Sequence, residues 1–265
     1  MLLQTIDLPD FWANIELYLR NNVSGERDLL PAVVICPGGG YRMVADRESE
    51  PIALAFMAHG YHAIVVNYPV LTDSSKISPD YLDKNTRLLA EIFKQIEDKQ
   101  NDWKIDPAAV FLLGCSAGGH MASLYAGCWH KVAKTQHLSH SKPLGSLLCY
   151  PVIGFDYGWP DTDSLDYQTL KDYDTAALIN EETPDTFIWH TANDGSVPVL
   201  NTLKYCEGLA NYQIPFESHL FENGRHGLSL ATRASAESKK AGHVNPPVAQ
   251  WLGLCVDWME RRLEN

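Results

Sequence analysis

"AAVFLLGCSAGGHMASLYAGCW", residues 108–129, decides how this chain is read. It opens as a short β-branched and aliphatic run, turns through Gly114-Cys115-Ser116-Ala117-Gly118, and continues as a small-residue stretch with helical character. A GxSxG alone is common. A GxSxG between a buried strand and a helix is the sharp elbow that lifts a serine above a sheet edge. Ser116 would then face a helix N-terminus, where free N–H groups and the helix dipole favour negative charge. The bland alternative is a glycine bend that merely lets helix and strand pack closely.

Working outward, "PAVVIC" (31–36), "HAIVVNY" (62–68), "GSLLCY" (145–150), "TFIWH" (186–190) and "FESHLF" (216–221) are further strand runs. Most lack polar alternation, as strands covered on both faces do. "ANIELYLR" (13–20) alternates and predicts a half-buried antiparallel strand. Helical patterns lie between them at 47–60, 79–99, 197–212 and 246–263. Strands alternating with helices predict an α/β fold: a mostly parallel sheet of about eight strands, helices on both faces, no large cap. No linker or repeat divides residues 1–265, so one domain is expected. The acidic, aromatic stretch 151–185 breaks the rhythm and reads as a short lid-like insertion, with a weak helical pattern near 164–179.

A serine hydroxyl needs a base, a group to orient the base, and N–H donors for the oxyanion. Gly38, Gly39 and Gly40 follow the run ending at Cys36 and can turn N–H groups toward an oxyanion, with Ala117 N–H as the second donor. A phosphate loop is the rival, but no GK[ST] follows and GGGY does not fit GxGxxG. Asp194 falls just past the strand run at 186–190 and His226 just past the one at 216–221. Both positions are carboxyl ends of predicted parallel strands, where open α/β sheets build sites. The order Ser116, Asp194, His226 is that of nucleophile-elbow enzymes.

"CPGGGY", "GCSAGGHMA", "HTANDGSVPV" and "FENGRHGLSLA" resemble the α/β-hydrolase serine esterases, in the carboxylesterase and acetyl-xylan-esterase-like (BD-FAE-like) branch. The resemblance runs from about residue 12 to the last helix. It implies Ser116 as nucleophile, Asp194 as orienting acid, His226 as general base, and Gly39, Gly40 and Ala117 as oxyanion donors. One departure is Pro37 where many relatives carry the histidine of His-Gly-Gly-Gly, which leaves open how the loop is anchored and which glycine amides point inward.

His190 and His219 sit within strand runs and read as core or surface residues. His120 reads as packing behind the elbow, and His243 as part of a polar loop. Asp156, Asp161, Asp163, Asp166 and Asp185 compete with Asp194, but only Asp194 precedes His226 by one strand. Cys115 reads as buried packing. Tyr41, Phe155, Tyr157, Trp159 and Val197 are candidate pocket residues. The expected activity is hydrolysis of short-chain, acetyl-like esters through an acyl-enzyme. The alternatives are a peptidase of the same fold and a non-catalytic binding protein on a hydrolase scaffold.

No HExxH or zinc-like cysteine spacing is present, so neither a metal nor a cofactor is expected. The formal net charge is −12, which disfavours nucleic acid or an anionic membrane as partner. The expected partner is a small ester, such as an acetylated carbohydrate. The six cysteines are scattered without CxxC pairing, and the N-terminus lacks a signal-peptide pattern, so a cytoplasmic protein is expected. The stretch bearing Trp251 and Trp258 suits a homo-oligomer interface or the core equally.

Overall fold

The computed structural model describes residues 1–21, 29–136, 139, 141–160, 170–236 and 241–264. Its strands are β1 (Leu2–Leu8), β2 (Ala13–Leu19), β3 (Leu30–Cys36), β4 (His62–Asn67), β5 (Ile105–Cys115), β6 (Gly145–Cys149), β7 (Thr186–Thr191) and β8 (Phe216–Phe221). They form one sheet in the order β1-β2-β4-β3-β5-β6-β7-β8. From β4 to β8 all neighbours are parallel, while β2 joins β4 and β1 in antiparallel pairing. This is the mostly parallel, eight-stranded sheet that the alternating pattern predicts, and no cap stands over it among the described residues.

Helices α1 (Glu50–Ala58), α2 (Pro79–Asp98), α3 (Gln100–Trp103), α4 (Ala117–Gln136), α5 (Leu200–Asn211), α6 (Pro246–Ala249) and α7 (Trp251–Leu263) cover the sheet. Strand side chains alternate between faces, so β3 divides its residues. Ala32, Val34 and Cys36 join the core under α2, α4 and α5, with Leu89, Tyr125 and Tyr205. Val33 and Ile35 join the core under α1 and α7, with Phe56, Trp251 and Trp258. Burial on both faces is why the run is uniformly apolar. Each fully buried aliphatic side chain contributes about 1.5–3 kcal/mol.

Local chemistry sets the helix starts. Ser78 caps α2, its hydroxyl accepting Tyr81 N–H at 3.4 Å, with Pro79 in the first turn. Asn245 caps α6, accepting Val248 N–H at 3.3 Å. The single helix expected over 246–263 is instead two, with Gln250 between them. The helix expected from residue 47 begins at Glu50, preceded by a 3-10 turn over Asp46–Glu48, because Pro51 is tolerated only in a first turn. Trp251 and Trp258 are 0% and 1% exposed and belong to the core, not to an interface.

β1 was not anticipated. Its residues are almost all exposed, with Leu2 and Leu3 each 53% accessible. It is held mainly by backbone pairing to β2, and only Ile6 and Leu8 reach the core, too short an alternation to mark a strand. Of the stretch 151–185, residues 161–169 lie outside the described residues, and with them Asp161, Asp163 and Asp166. Past that gap the weak helical pattern becomes one 3-10 turn, Lys171–Tyr173. The chain beyond this turn is fastened onto α4: Asn180 Nδ2 donates to Gly127 O at 2.8 Å and Trp129 Nε1 donates to Glu182 O at 2.8 Å.

Two registers position the site. Cys36 pairs with Gly114, so the loop after β3 emerges beside the turn after β5. Thr191 pairs with Phe221, so the loops after β7 and β8 emerge side by side.

Candidate active site

Ser116 stands alone between β5 and α4 with φ 53°, a left-handed conformation that non-glycine residues rarely adopt. The surroundings hold it there. Ser116 N–H donates to Cys149 O at 3.0 Å, and Ser116 O accepts Gly119 N–H at 2.9 Å and Val152 N–H at 3.0 Å. The turn also needs close approach of α4 to β3. A Cβ on Gly118 would lie 2.0 Å from Cys36 O. Both flanking strands therefore hold the serine side chain up above the sheet edge.

Ser116 Oγ lies 2.7 Å from His226 Nε2, and His226 Nδ1 lies 2.7 Å from Asp194 Oδ2. A carboxylate can only accept, so Nδ1 carries the proton and Nε2 offers its lone pair to the serine hydroxyl. Asp194 Oδ1 accepts Ser196 N–H at 2.8 Å and Val197 N–H at 3.0 Å. The Asp194 side chain is fully buried and that of His226 is 18% exposed. Burial pushes the Asp194 carboxyl upward. The hydrogen bonds from His190 and His226, with that from Val197 N–H, outweigh it and hold the carboxyl well below its ordinary range.

The glycine loop is tightly wound. Gly39 and Gly40 have φ 124° and 63°, and a Cβ on Gly39 would fall 2.1 Å from Met43 O. Arg42 N–H donates to Gly39 O at 3.1 Å and Ala45 N–H to Gly38 O at 3.1 Å. Tyr68 hydroxyl donates to Pro37 O at 2.7 Å. Gly38 N–H is bound to Glu48 Oε2 at 2.7 Å. Among the described residues, no acceptor takes the N–H of Gly39, Gly40 or Ala117.

The other histidines have different duties. His120 is fully buried: Tyr41 hydroxyl donates to its Nδ1 at 2.9 Å and its Nε2 donates to Tyr173 O at 2.9 Å. Burial lowers its pKa to about 4, so it packs behind the elbow as a neutral ring. His219 is half-buried at the sheet edge beside Glu217, and His243 is buried. His190 is a core residue that also touches the acid, its Nε2 3.4 Å from Asp194 Oδ2. Asp185 sits at the opposite end of β7 from Asp194 and pairs with Arg262 at 3.4 Å, while Asp156 is exposed. Cys115 is fully buried in the core under α1 and α7.

The pocket residues divide. Tyr41 does not line a floor. Its φ of 60° turns it beneath the loop, fully buried among Tyr68, Tyr81 and His120. Phe155 is 3% exposed and packs on His120 at 4.6 Å, and Val197 is fully buried. Tyr157 is half-buried, its hydroxyl donating to Asp174 Oδ2 at 2.5 Å. Trp159, also half-buried, lies across Gly40: a Cβ there would be 3.5 Å from the indole. Sequence reading missed the polar cleft of about 890 Å³ adjoining His226, lined by Arg47, Asn193, Ser196, Asn223, Arg225 and Asn245. The residues flanking Asp194 and His226 were the available signal.

A serine–imidazole–carboxylate relay at the carboxyl edge of this sheet is the arrangement of the α/β-hydrolase class of serine hydrolases. A sequence profile of the BD-FAE family matches residues 15–143. The solved structure of a sugar hydrolase (YeeB) from Lactococcus lactis is 38% identical, covers 99% of both chains and superposes with a TM-score of 0.86. That of the carboxylesterase Cest-2923 from Lactobacillus plantarum WCFS1 is 30% identical, covers 99% of this chain and 98% of its own, and has a TM-score of 0.87. An acetylxylan esterase of Xylanibacter ruminicola is 27% identical across 86% of this chain. The chain spans less than half the length of the curated relatives it matches, 46% of that esterase and 35% of an endo-1,4-beta-xylanase B of Butyrivibrio fibrisolvens to which it is 29% identical. The chain belongs to the BD-FAE-like esterases of the α/β-hydrolase fold, a family of carboxylic ester hydrolases.

Proposed function

We propose that this chain is a serine carboxylesterase that removes short, acetyl-like acyl groups from an alcohol. The observation that carries the proposal is the continuous relay of 2.7 Å contacts from Ser116 through His226 to Asp194. His226 Nε2 takes the Ser116 proton as Oγ attacks the ester carbonyl. Asp194 keeps the reactive tautomer and stabilises the imidazolium that forms. The oxyanion is received by Ala117 N–H together with Gly39 or Gly40 N–H. Each such donor is worth about 3–4 kcal/mol of transition-state stabilisation. Gly38 is not among them, because Glu48 already holds its N–H. His226 then protonates the leaving alcohol, and water, activated by the same imidazole, releases the acid.

Trp159 over the glycine loop favours a small acyl group. An acetylated carbohydrate is the proposed natural alcohol, in keeping with the acetylxylan esterase relative. The polar cleft beside His226 lies where a leaving alcohol would be protonated.

The test is a panel of p-nitrophenyl esters from acetate to octanoate and an acetylated xylan, with fluorophosphonate labelling. Ser116 should be labelled and the acetate turned over fastest. Absence of labelling, with no hydrolysis of any ester, would sink the reading.

A further inference from the structure

Glu48 is 1% exposed, yet it carries a carboxylate directly beneath the glycine loop. Oε2 accepts Gly38 N–H at 2.7 Å, and Oε1 accepts the Tyr150 hydroxyl at 2.9 Å. The Tyr150 oxygen in turn accepts Ser229 N–H at 3.0 Å. Arg47 Nε lies 3.6 Å from Oε1, and Ser229 Oγ donates to Arg47 O at 2.6 Å. The Tyr150 ring stands edge-on to the His226 imidazole, 5.2 Å between centroids. One carboxylate therefore ties the loop after β3 to the segment that bears the imidazole.

Gly38 meets the nucleophile on its other side. A Cβ built there would lie 2.6 Å from Glu48 Oε2 and 2.9 Å from Ser116 Cβ. Carboxylate, glycine and serine are stacked in direct succession. Burying a carboxylate costs several kcal/mol, and its retention is weak evidence for stability as such. Hydrogen bonds to a charged acceptor are shorter and roughly twice as strong as neutral ones, so they fix position well. Tyr68 grips the same loop from a second side, its hydroxyl donating to Pro37 O at 2.7 Å.

We propose that Glu48 is a positioning residue for acyl transfer. Its carboxylate sets the height of the glycine loop over Ser116 and, through Tyr150, the placement of the segment bearing His226. The oxyanion donors and the base thereby keep register with one nucleophile. The proposal rests on the serine-esterase reading.

The experiment compares the wild-type chain, Glu48→Gln and Tyr150→Phe. Each is measured with p-nitrophenyl acetate per fluorophosphonate-titrated site, and with a trifluoromethyl ketone that forms a tetrahedral adduct on serine. Glu48→Gln should lower kcat about 10- to 100-fold, the scale of a misplacement near 1 Å, with KM changed less than about 3-fold. Its affinity for the ketone should fall in parallel with kcat. Tyr150→Phe keeps the Gly38 contact and should show a smaller loss of the same kind. It decides the matter if Glu48→Gln does not fold. A folded Glu48→Gln with a lowered Tm but unchanged kcat per titrated site and unchanged ketone affinity overturns the proposal, as does an unaffected Tyr150→Phe when it is the deciding variant. A wild-type chain that neither hydrolyses the ester nor labels at Ser116 defeats the esterase reading and this proposal with it.

Discussion

His190 and His226 converge on a single oxygen: Asp194 Oδ2 lies 3.4 Å from His190 Nε2 and 2.7 Å from His226 Nδ1. His190 Nε2 also reaches Val197 O at 3.0 Å, and its Nδ1 is 2.8 Å from Thr202 Oγ1. Nε2 faces only acceptors, so it donates, and Nδ1 receives the Thr202 hydroxyl. The two rings thus hold the carboxylate oxygen between them.

His190→Phe removes that donor and leaves Val197 O and Asp194 Oδ2 short of a partner inside the core. Destabilisation of about 1–3 kcal/mol is expected, the cost of a buried polar group left unsatisfied. A fall of roughly tenfold in kcat should accompany it as the acid loses its fixed orientation. Thr202→Val should give a smaller loss of both. Thermal unfolding and site-titrated kinetics check the pair, and an unchanged kcat in folded His190→Phe would confine His190 to packing.

The Ser116 φ of 53° makes a second outcome calculable. An L side chain in the left-handed region costs about 1–2 kcal/mol, and glycine escapes that cost. Ser116→Ala and Ser116→Gly should both lose about 10⁶-fold in kcat if the relay acts as a unit. They should differ in stability, with the glycine variant more stable by about 1 kcal/mol despite its greater freedom when unfolded. Equal Tm values for the two would mean that the elbow stores no such strain.

The parts of this site that were legible in the sequence share one property: each is announced by its immediate neighbours. Ser116 has its glycines and flanking strand and helix, and Asp194 and His226 each follow a strand run. Glu48, Tyr150 and His190 were not legible in their roles because their partners are distant. The Tyr150–Glu48 bond closes 102 residues of chain, and nothing local to "DRESEP" marks its second acid as buried. Tyr41 was misplaced for a related reason. Adjacency to the oxyanion glycines suggests the pocket, but a left-handed φ sends the ring underneath. The sheet is legible almost whole, save β1, where only Ile6 and Leu8 reach the core and leave too short an apolar pattern.

His120 gives stability a defined pH dependence. Burial lowers its pKa from 6.5 to about 4. Above 6.5 the ring is neutral in both states and contributes nothing to the slope. Between 6.5 and 4 the unfolded chain takes up a proton that the folded chain refuses, so stability falls as pH falls. Below 4 both states are protonated and the loss is constant, at roughly 3 kcal/mol. Asp194 acts in a separate window. Its lowered carboxyl supports the fold above the ordinary carboxylate range, and that support is lost only at still lower pH. Urea unfolding at pH 7, 5.5 and 4.5 should give decreasing stability in wild type. His120→Gln should show a shallower dependence over the same interval, and an identical slope would remove His120 as the cause.

Trp159 provides the test of acyl size. Its indole stands 3.5 Å from a Cβ built on Gly40, and its ring centroid is 6.3 Å from that of Phe155. It therefore lies across the loop whose Gly39 or Gly40 N–H is assigned to the oxyanion. An acyl chain leaving a carbonyl held there has to pass the indole, and acetyl is short enough not to reach far along it. Trp159→Ala opens that path without touching the Ser116–His226–Asp194 relay. The ratio of kcat/KM for p-nitrophenyl octanoate to that for acetate should rise roughly tenfold, within the range a hydrophobic pocket can discriminate. Acetate turnover itself should change little, because an acetyl group is too short to lean on the deleted ring. A preserved ratio would move the acyl site away from Trp159 and toward the polar cleft beside His226, leaving the indole to the alcohol.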